Sequence, residues 1–300
     1  MQRPLLAAAV VALGVLAVAL VAWRHHHGRR TPVVVTRLAG EGEVLPRAPA
    51  AEPARAARLT ESTLAVGGAE RRYVLLTPEG YDPAAKLPLV LVFHGDGGTA
   101  RTFHDAFPFE VASGAGAFVA YPDGVDRTWD LTSVESNADV AFVEALIGAL
   151  GRALPIDAAR VFLVGYSSGG FFSNLFACQR SALVRALSSS AGGAPYHQAG
   201  LWPNGFTRCP GQAPVAALAL HGDSDFGVGL DSGRFSATYW AYVNGCDEGA
   251  METTGYPECE AYRGCSPGKS VAFCEIPGLG HWVWDRAAEA SWTFFLRASR

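Results

Sequence analysis

The chain has 300 residues, of which 49% are hydrophobic and 17% are charged, a composition that is typical of globular proteins and excludes disordered and fibrous ones. The formal net charge of −4 at pH 7 lacks the basic excess that a nucleic-acid-binding surface requires, so no nucleic-acid partner is expected.

The chain begins with an apolar leader. Residues 5–23 are uninterrupted apolar residues, preceded by Arg3 and followed by three arginines and three histidines. Such a stretch is just long enough to cross a bilayer as a helix, and Ala17 and Ala19 also fit the small residues of an export cleavage site. We therefore expect residues 1–30 to be either a signal peptide or a membrane anchor. In both cases the remainder is secreted or held outside the cytoplasm.

Residues 31–58 have the composition of a linker. Four prolines are mixed with alanine, glycine, glutamate and arginine, without helical or strand periodicity. The folded domain is predicted over residues 59–300, a length that one domain can fill.

Strands and helices are predicted to alternate along this domain. Short apolar runs bounded by proline, glycine and aspartate predict strands at 72–76, 87–93, 117–121, 161–164, 215–220 and 271–276. Helical spacing of apolar residues occurs at 143–154, with Ser136 or Asn137 as cap, and at 171–176, 235–243 and 286–296. This alternation predicts an α/β fold, with a doubly wound, mostly parallel sheet and helices on both faces.

The domain contains six cysteines, an even number that favours disulfides behind an export leader. Fifteen pairings are open to six cysteines. We expect the pairs Cys178–Cys209, Cys246–Cys274 and Cys259–Cys265. No Cys-x-x-Cys or Cys/His spacing suggests a metal site.

A serine turn carries the strongest functional signal. The residues Gly165-Tyr166-Ser167-Ser168-Gly169 follow the predicted strand 161–164 and precede the helical segment 171–176. A serine on a sharp strand-to-helix turn has an exposed hydroxyl, and the flanking glycines let the turn close. Ser167 is therefore the candidate nucleophile.

A serine hydroxyl needs an adjacent base, and the base needs an orienting acid. In α/β-hydrolases these follow the serine in the order acid, then histidine. His281 follows the strand 271–276, and both Asp223 and Asp225 follow the strand 215–220. The residues by themselves leave both aspartates open as the acid.

The segment His94-Gly95-Asp96-Gly97-Gly98 follows the early strand 87–93. A His-Gly loop in this place supplies one backbone N–H of an oxyanion hole, and the amide of Ser168 supplies the second. His94 and His221 are expected to shape their loops by hydrogen bonding.

These motifs, together with Tyr121-Pro122-Asp123-Gly124, the stretch 138–142 and Asn244-Gly245-Cys246, occur in an order that resembles the exported α/β-hydrolase esterases. That group includes polyhydroxybutyrate depolymerase-like enzymes and feruloyl and acetylxylan esterases. The resemblance spans residues 73–281. It implies a serine carboxylic-ester hydrolase that works through an acyl-enzyme without cofactor, with Asp225 as the acid and the Asp96 backbone in the oxyanion hole.

The substrate is left open between feruloyl or acetyl esters and hydroxyalkanoate polyesters. Trp129 and Trp282 are predicted as aromatic walls for a phenolic or polymeric substrate, although buried aromatic residues more often belong to the core. Many relatives have proline soon after the histidine where this chain has Trp282. The alternatives are a serine peptidase or acyltransferase on the same fold and an inactive surface binding protein.

Overall fold

The structure is a computed structural model that describes residues 57–299. Ten of its strands form one sheet in the order β1-β2-β4-β3-β5-β6-β9-β12-β11-β10. These strands are β1 (Ala57–Val66), β2 (Ala69–Pro78), β3 (Leu87–Phe93), β4 (Phe118–Pro122), β5 (Ile156–Tyr166), β6 (Ala186–Ser190), β9 (Ala216–Gly222), β10 (Met251–Thr253), β11 (Cys259–Tyr262) and β12 (Val271–Ile276). The short strands β7 (Gly200–Leu201) and β8 (Thr207–Arg208) form a separate pair.

The six central strands, β4 to β12 in the sheet order, are parallel, and antiparallel strands extend the sheet at both ends. The parallel strands are almost entirely buried, because helices cover both of their faces. This architecture confirms the predicted α/β-hydrolase fold class.

Residues 57–299 also form six α-helices, the last of which follows the final strand. They are α1 (Ala100–Ala106), α2 (Glu110–Ser113), α3 (Ala138–Ala153), α4 (Ser168–Gln179), α5 (Leu230–Val243) and α6 (Ala287–Ala298). The cap of α3 is Asn137, whose side chain accepts hydrogen bonds from the amides of Asp139 and Val140. Asn137 thus satisfies two of the amides that an α-helix leaves unpaired at its start.

Two hydrophobic clusters lie on opposite faces of the sheet. Successive residues of β3 alternate between them, so that Leu91 packs with α3, α4 and α5 while Val92 packs with α1 and α6. The carboxyl ends of the parallel strands therefore meet at one edge between the two helix layers, which is where an α/β sheet places its functional loops.

The disulfides confirm one predicted pair and correct two. Cys178 pairs with Cys209 as expected, but the other bridges are Cys246–Cys265 and Cys259–Cys274. The predicted pairs Cys246–Cys274 and Cys259–Cys265 are wrong because β11 and β12 are antiparallel neighbours whose register sets Cys259 directly opposite Cys274.

The predictions for residues 1–30 and for most of the linker lie outside the described residues. Strand β1 begins at Ala57, so Ala57 and Arg58, which were assigned to the linker, belong to the sheet. Within residues 57–299, no helix is long and apolar enough to cross a membrane.

Candidate active site

Ser167 lies between the end of β5 and the start of α4 with a backbone φ of 52°. This left-handed conformation is strained for a residue other than glycine and is the one that exposes a nucleophilic hydroxyl. A Cβ on Gly165 would lie 2.0 Å from the carbonyl oxygen of Gly169, and a Cβ on Gly169 would lie 2.4 Å from the carbonyl oxygens of both Phe93 and His94. The two glycines of the motif are thus required by backbone contacts.

The turn is joined to the predicted base and acid by two hydrogen bonds. His281 Nε2 lies 2.9 Å from Ser167 Oγ, and His281 Nδ1 lies 2.8 Å from Asp225 Oδ2. Asp225 is buried, whereas the side chain of His281 is 31% exposed. The structure therefore brings together Ser167, His281 and Asp225, the aspartate that the family resemblance favours, in an arrangement along which a proton can pass from the serine to the histidine.

The carboxylate of Asp225 is fixed from its other side. Its Oδ1 accepts hydrogen bonds from the amides of Gly227 at 2.8 Å and Val228 at 2.9 Å. Burial raises the pKa of Asp225, but the hydrogen bonds from His281, Val228 and Gly227 outweigh it and hold the pKa below its usual value. The group facing His281 is consequently a carboxylate at neutral pH.

Asp223 has a different position. Its Oδ1 accepts hydrogen bonds from the Gly278 amide at 2.7 Å and from the Ser224 hydroxyl at 2.9 Å. The side chain is exposed and ties two loops together. Of the two aspartates that the sequence left open, Asp225 is the one that contacts His281.

The predicted oxyanion loop lies directly against the serine turn. A Cβ on Gly95 would lie 2.8 Å from the Tyr166 ring and 3.3 Å from Ser167 Cβ. Within residues 57–299, the amides of Asp96 and Ser168 donate no hydrogen bond, and the side chain of Asp96 is exposed. Ser168 opens α4, whose positive end favours a developing negative charge. Two free amides are thus available close to the nucleophile.

His94 holds the start of this loop, as expected. Its Nε2 accepts a hydrogen bond from the Gly124 amide at 3.1 Å, and its Nδ1 lies 2.8 Å from the carbonyl oxygen of Gly95. Burial lowers the pKa of His94, which favours the neutral ring that these contacts need.

Trp129 supports the same loop from the side of the hydrophobic core. Its Nε1 donates to the carbonyl oxygen of His94 at 2.8 Å, and its ring stacks on Phe172 with a centroid separation of 4.5 Å. Only 3% of Trp129 is exposed. The expectation that it forms an aromatic wall for substrate is therefore corrected, since its ring is part of the core.

Sequence reasoning missed a clamp on the oxyanion loop. Asp126 and Arg127 both have positive φ angles, 51° and 65°, which are uncommon outside glycine. The Gly97 amide donates to the Arg127 carbonyl oxygen at 2.8 Å, and the Arg127 guanidinium donates back to the Gly97 carbonyl oxygen. The buried carboxylate of Asp139 fixes this segment by accepting from the amides of Val125 and Asp130. No local pattern in the sequence predicts the positive φ angles of Asp126 and Arg127.

Two aromatic side chains are open to solvent near the base. Trp282 is 46% exposed, and its ring lies 5.0 Å from the ring of Tyr166, whose hydroxyl donates to the His281 carbonyl oxygen. Phe226, which follows the acid, is 98% exposed and was not singled out from the sequence. Trp282 thus lies beside the site, and its contact with substrate stays a prediction.

The sequence matches no family model. It is 31% identical over 252 residues to feruloyl esterase C of Emericella nidulans, an alignment that covers 76% of this chain and 84% of the relative. It is also 31% identical over 248 residues to a probable feruloyl esterase C of Aspergillus terreus, with the same coverage of both chains.

Solved structures give the same fold. An acetyl xylan esterase from Aspergillus awamori superposes with a TM-score of 0.66 at 18% identity, covering 79% of this chain and 99% of that one. A CE1 ferulic acid esterase from Anaeromyces mucronatus in complex with ferulic acid has a TM-score of 0.51 at 17% identity, covering 81% and 89%.

Proposed function

This chain belongs to the feruloyl esterase family and is a carboxylic ester hydrolase, and we propose that it cleaves feruloyl or acetyl esters carried by a plant polysaccharide. The observation that carries the mechanism is the hydrogen-bonded chain from Ser167 through His281 to Asp225. The substrate class is supported by the names of the relatives, feruloyl esterase C and acetyl xylan esterase.

In the proposed mechanism His281 Nε2 takes the proton of Ser167 as its Oγ attacks the ester carbonyl. The carbonyl oxygen becomes negative and is bound by the amides of Asp96 and Ser168. Asp225 holds the proton on Nδ1 and stabilises the imidazolium. The tetrahedral intermediate then collapses, and the alcohol leaves with the proton from Nε2.

The acyl-enzyme is next hydrolysed by water. His281 Nε2 removes a proton from the water as its oxygen attacks the acyl carbonyl, and returns that proton to Ser167 when the acid departs. The side chain of His281 is 31% exposed, so water can reach its Nε2 atom.

The alternatives receive less support. The relatives are named for feruloyl and acetyl xylan esters, which favours these over hydroxyalkanoate polyesters and peptides. An inactive binding protein would have no use for the strained serine, the ordered acid and the free amides together. We also propose that the protein is exported, secreted or tethered by residues 1–30, since three disulfides are typical of oxidising compartments.

The test compares the full-length protein with its Ser167→Ala variant on methyl ferulate and p-nitrophenyl acetate, with labelling by a fluorophosphonate probe. We expect hydrolysis and labelling by the parent protein and neither by the variant. Folded parent protein that hydrolyses neither ester and takes no label would overturn the proposal. Labelling with turnover of a peptide substrate alone would move the assignment to a peptidase.

A further inference from the structure

A concave site lies at the same edge of the sheet as the serine, where the parallel strands have their carboxyl ends. It is an open pocket of about 450 Å³, formed by β1, β2, the start of α1 and the residue after β4. Its polar lining includes Glu61, Thr63, Arg72, Thr99, Arg101 and Asp123. We propose that this pocket, referred to here as the β2/α1 pocket, binds the carbohydrate portion of the ester substrate. This inference rests on the function proposed above.

The strand order sets the distance to the nucleophile. Ser167 follows β5, and Asp123 follows β4, which is separated from β5 only by β3. All three strands are parallel, so their carboxyl ends share one edge. Two strand spacings amount to about 10 Å. The pocket is therefore within reach of a sugar chain whose ester is held at Ser167.

The oxyanion loop runs directly into the pocket. Thr99 is only three residues beyond Asp96, and three residues span at most about 11 Å even when fully extended. Helix α1 also contacts the serine turn, since the ring of Phe103 stacks on Tyr166 with a centroid separation of 6.0 Å. The pocket and the candidate active site are thus neighbours, joined by the oxyanion loop and by helix α1.

The charges of the lining indicate a neutral ligand. Arg72 and Arg101 are balanced by Glu61 and Asp123, so an anion meets two carboxylates as well as two guanidinium groups. Arg101 is already engaged, because it pairs with Glu61 and with Asp105. A balanced set of charged donors and acceptors suits the neighbouring hydroxyls of a sugar, each of which can both donate and accept.

Of the two arginines in the pocket, Arg72 is the one whose guanidinium is available to a ligand. Its side chain is exposed, and its guanidinium makes no hydrogen bond or ion pair within residues 57–299. The backbone around it is fixed, since its carbonyl oxygen accepts from the amide of Asp123. Five N–H donors on a well-placed backbone can bind several hydroxyl oxygens at once.

The test uses two substrates that share the feruloyl ester and differ in the alcohol. Methyl ferulate lacks the sugar, whereas a feruloylated xylo-oligosaccharide carries it. For the full-length Arg72→Ala variant we expect kcat/KM to be unchanged on methyl ferulate and to fall about tenfold on the oligosaccharide, mainly through KM. Arg58→Ala removes an exposed arginine of β1 outside the pocket and should change neither value.

A second variant tests whether the effect of Arg72→Ala comes from a folding defect. Thr63→Val keeps the shape of the side chain and removes only its hydroxyl, and we expect a severalfold rise in KM for the oligosaccharide alone. Equal effects on both substrates, or no effect on either, would overturn the carbohydrate site. Failure of the parent protein to hydrolyse either substrate would instead overturn the proposed function, so the two failures are distinguishable.

Discussion

The Nε2 atom of His221 lies 3.3 Å from Oδ2 of Asp225, the same oxygen that accepts the hydrogen bond from His281. His221 Nε2 is also 2.8 Å from the carbonyl oxygen of Val228, while its buried Nδ1 has no hydrogen-bond partner in the described part of the chain. The proton therefore resides on Nε2, where one donor serves both the acid and the loop that surrounds it. His221 is a positioning residue for the acid.

Replacing His221 by leucine, which has no donor at the position of Nε2, should accordingly reduce kcat on methyl ferulate about tenfold, the equivalent of losing one hydrogen bond of about 1.4 kcal/mol, with little change in KM. The acid limb of the kcat profile against pH should move at the same time, because the charge that faces His281 is less well held. A profile that keeps its shape, with only the folded fraction reduced, would assign His221 a merely structural role.

The two aspartates of the acid loop should respond very differently to substitution. Asp225→Asn removes the carboxylate that holds His281 Nδ1, and a loss of about 10⁴ in kcat is expected. Asp223→Asn affects only contacts with Gly278 and Ser224, so activity should stay within a few-fold of the parent. Steady-state kinetics of both variants decide the matter, and the opposite ranking would remove Asp225 from the mechanism.

Asp225 should also make stability depend on pH. Its pKa is lowered in the folded protein, so its contribution is fully present above the unfolded-state pKa of about 3.9 and is lost as the pH falls through the folded-state pKa. The free energy of unfolding should therefore differ most between parent and Asp225→Asn at about pH 6, and the difference should shrink in the acid range. Denaturant titrations at a series of pH values measure this. A difference that grows toward acid would contradict the sign.

The serine turn should not tolerate a methyl group at Gly169. The added Cβ meets the carbonyl oxygens of Phe93 and His94, so Gly169→Ala should displace the oxyanion loop and abolish most activity. Gly151→Ala is the matched control, because this glycine lies in α3 with nothing within 4 Å of the added Cβ. It should raise stability by about 0.5–1 kcal/mol. Thermal unfolding and ester hydrolysis of both variants provide the comparison.

The exposed tryptophan should influence the choice of acyl group. Trp282→Ala removes an open aromatic face beside His281 and is expected to lower kcat/KM for methyl ferulate about fivefold more than for p-nitrophenyl acetate. Trp129→Ala should instead lower stability and reduce both activities together, since its ring is buried under the His94 loop. A uniform loss in the Trp282 variant would separate this side chain from substrate recognition.

The part of the fold that could be predicted consists of elements with a local signal. Strands β3 and β12 have the predicted bounds because each is a short apolar run between turn residues. Strand β6 escaped notice because Ser188–Ser190 are polar, yet all three are buried, and the Ser188 hydroxyl lies 2.7 Å from that of Ser291 in the distant helix α6. Burial of that kind is a tertiary property and leaves no periodic pattern.

The candidate active site also combines residues that have a local sequence signal with contacts that have none. Ser167 and His281 could be found from motif and chain order, since each follows a strand whose end is placed by the parallel sheet. The clamp made by Arg127 depends on two positive φ angles, and the disulfide partners of Cys259 and Cys246 depend on strand register and loop approach. These relationships are set by contacts between distant segments, so no window of the sequence contains them.

Finally, the three members of the proton path follow β5, β9 and β12, and the last of them, His281, is 114 residues beyond Ser167. During synthesis on the ribosome, Ser167 is therefore added to the chain long before His281. Ester hydrolysis therefore begins only once the carboxyl-terminal segment has been synthesised and has joined the sheet, so an unfinished chain cannot cleave esters in the compartment where it is made.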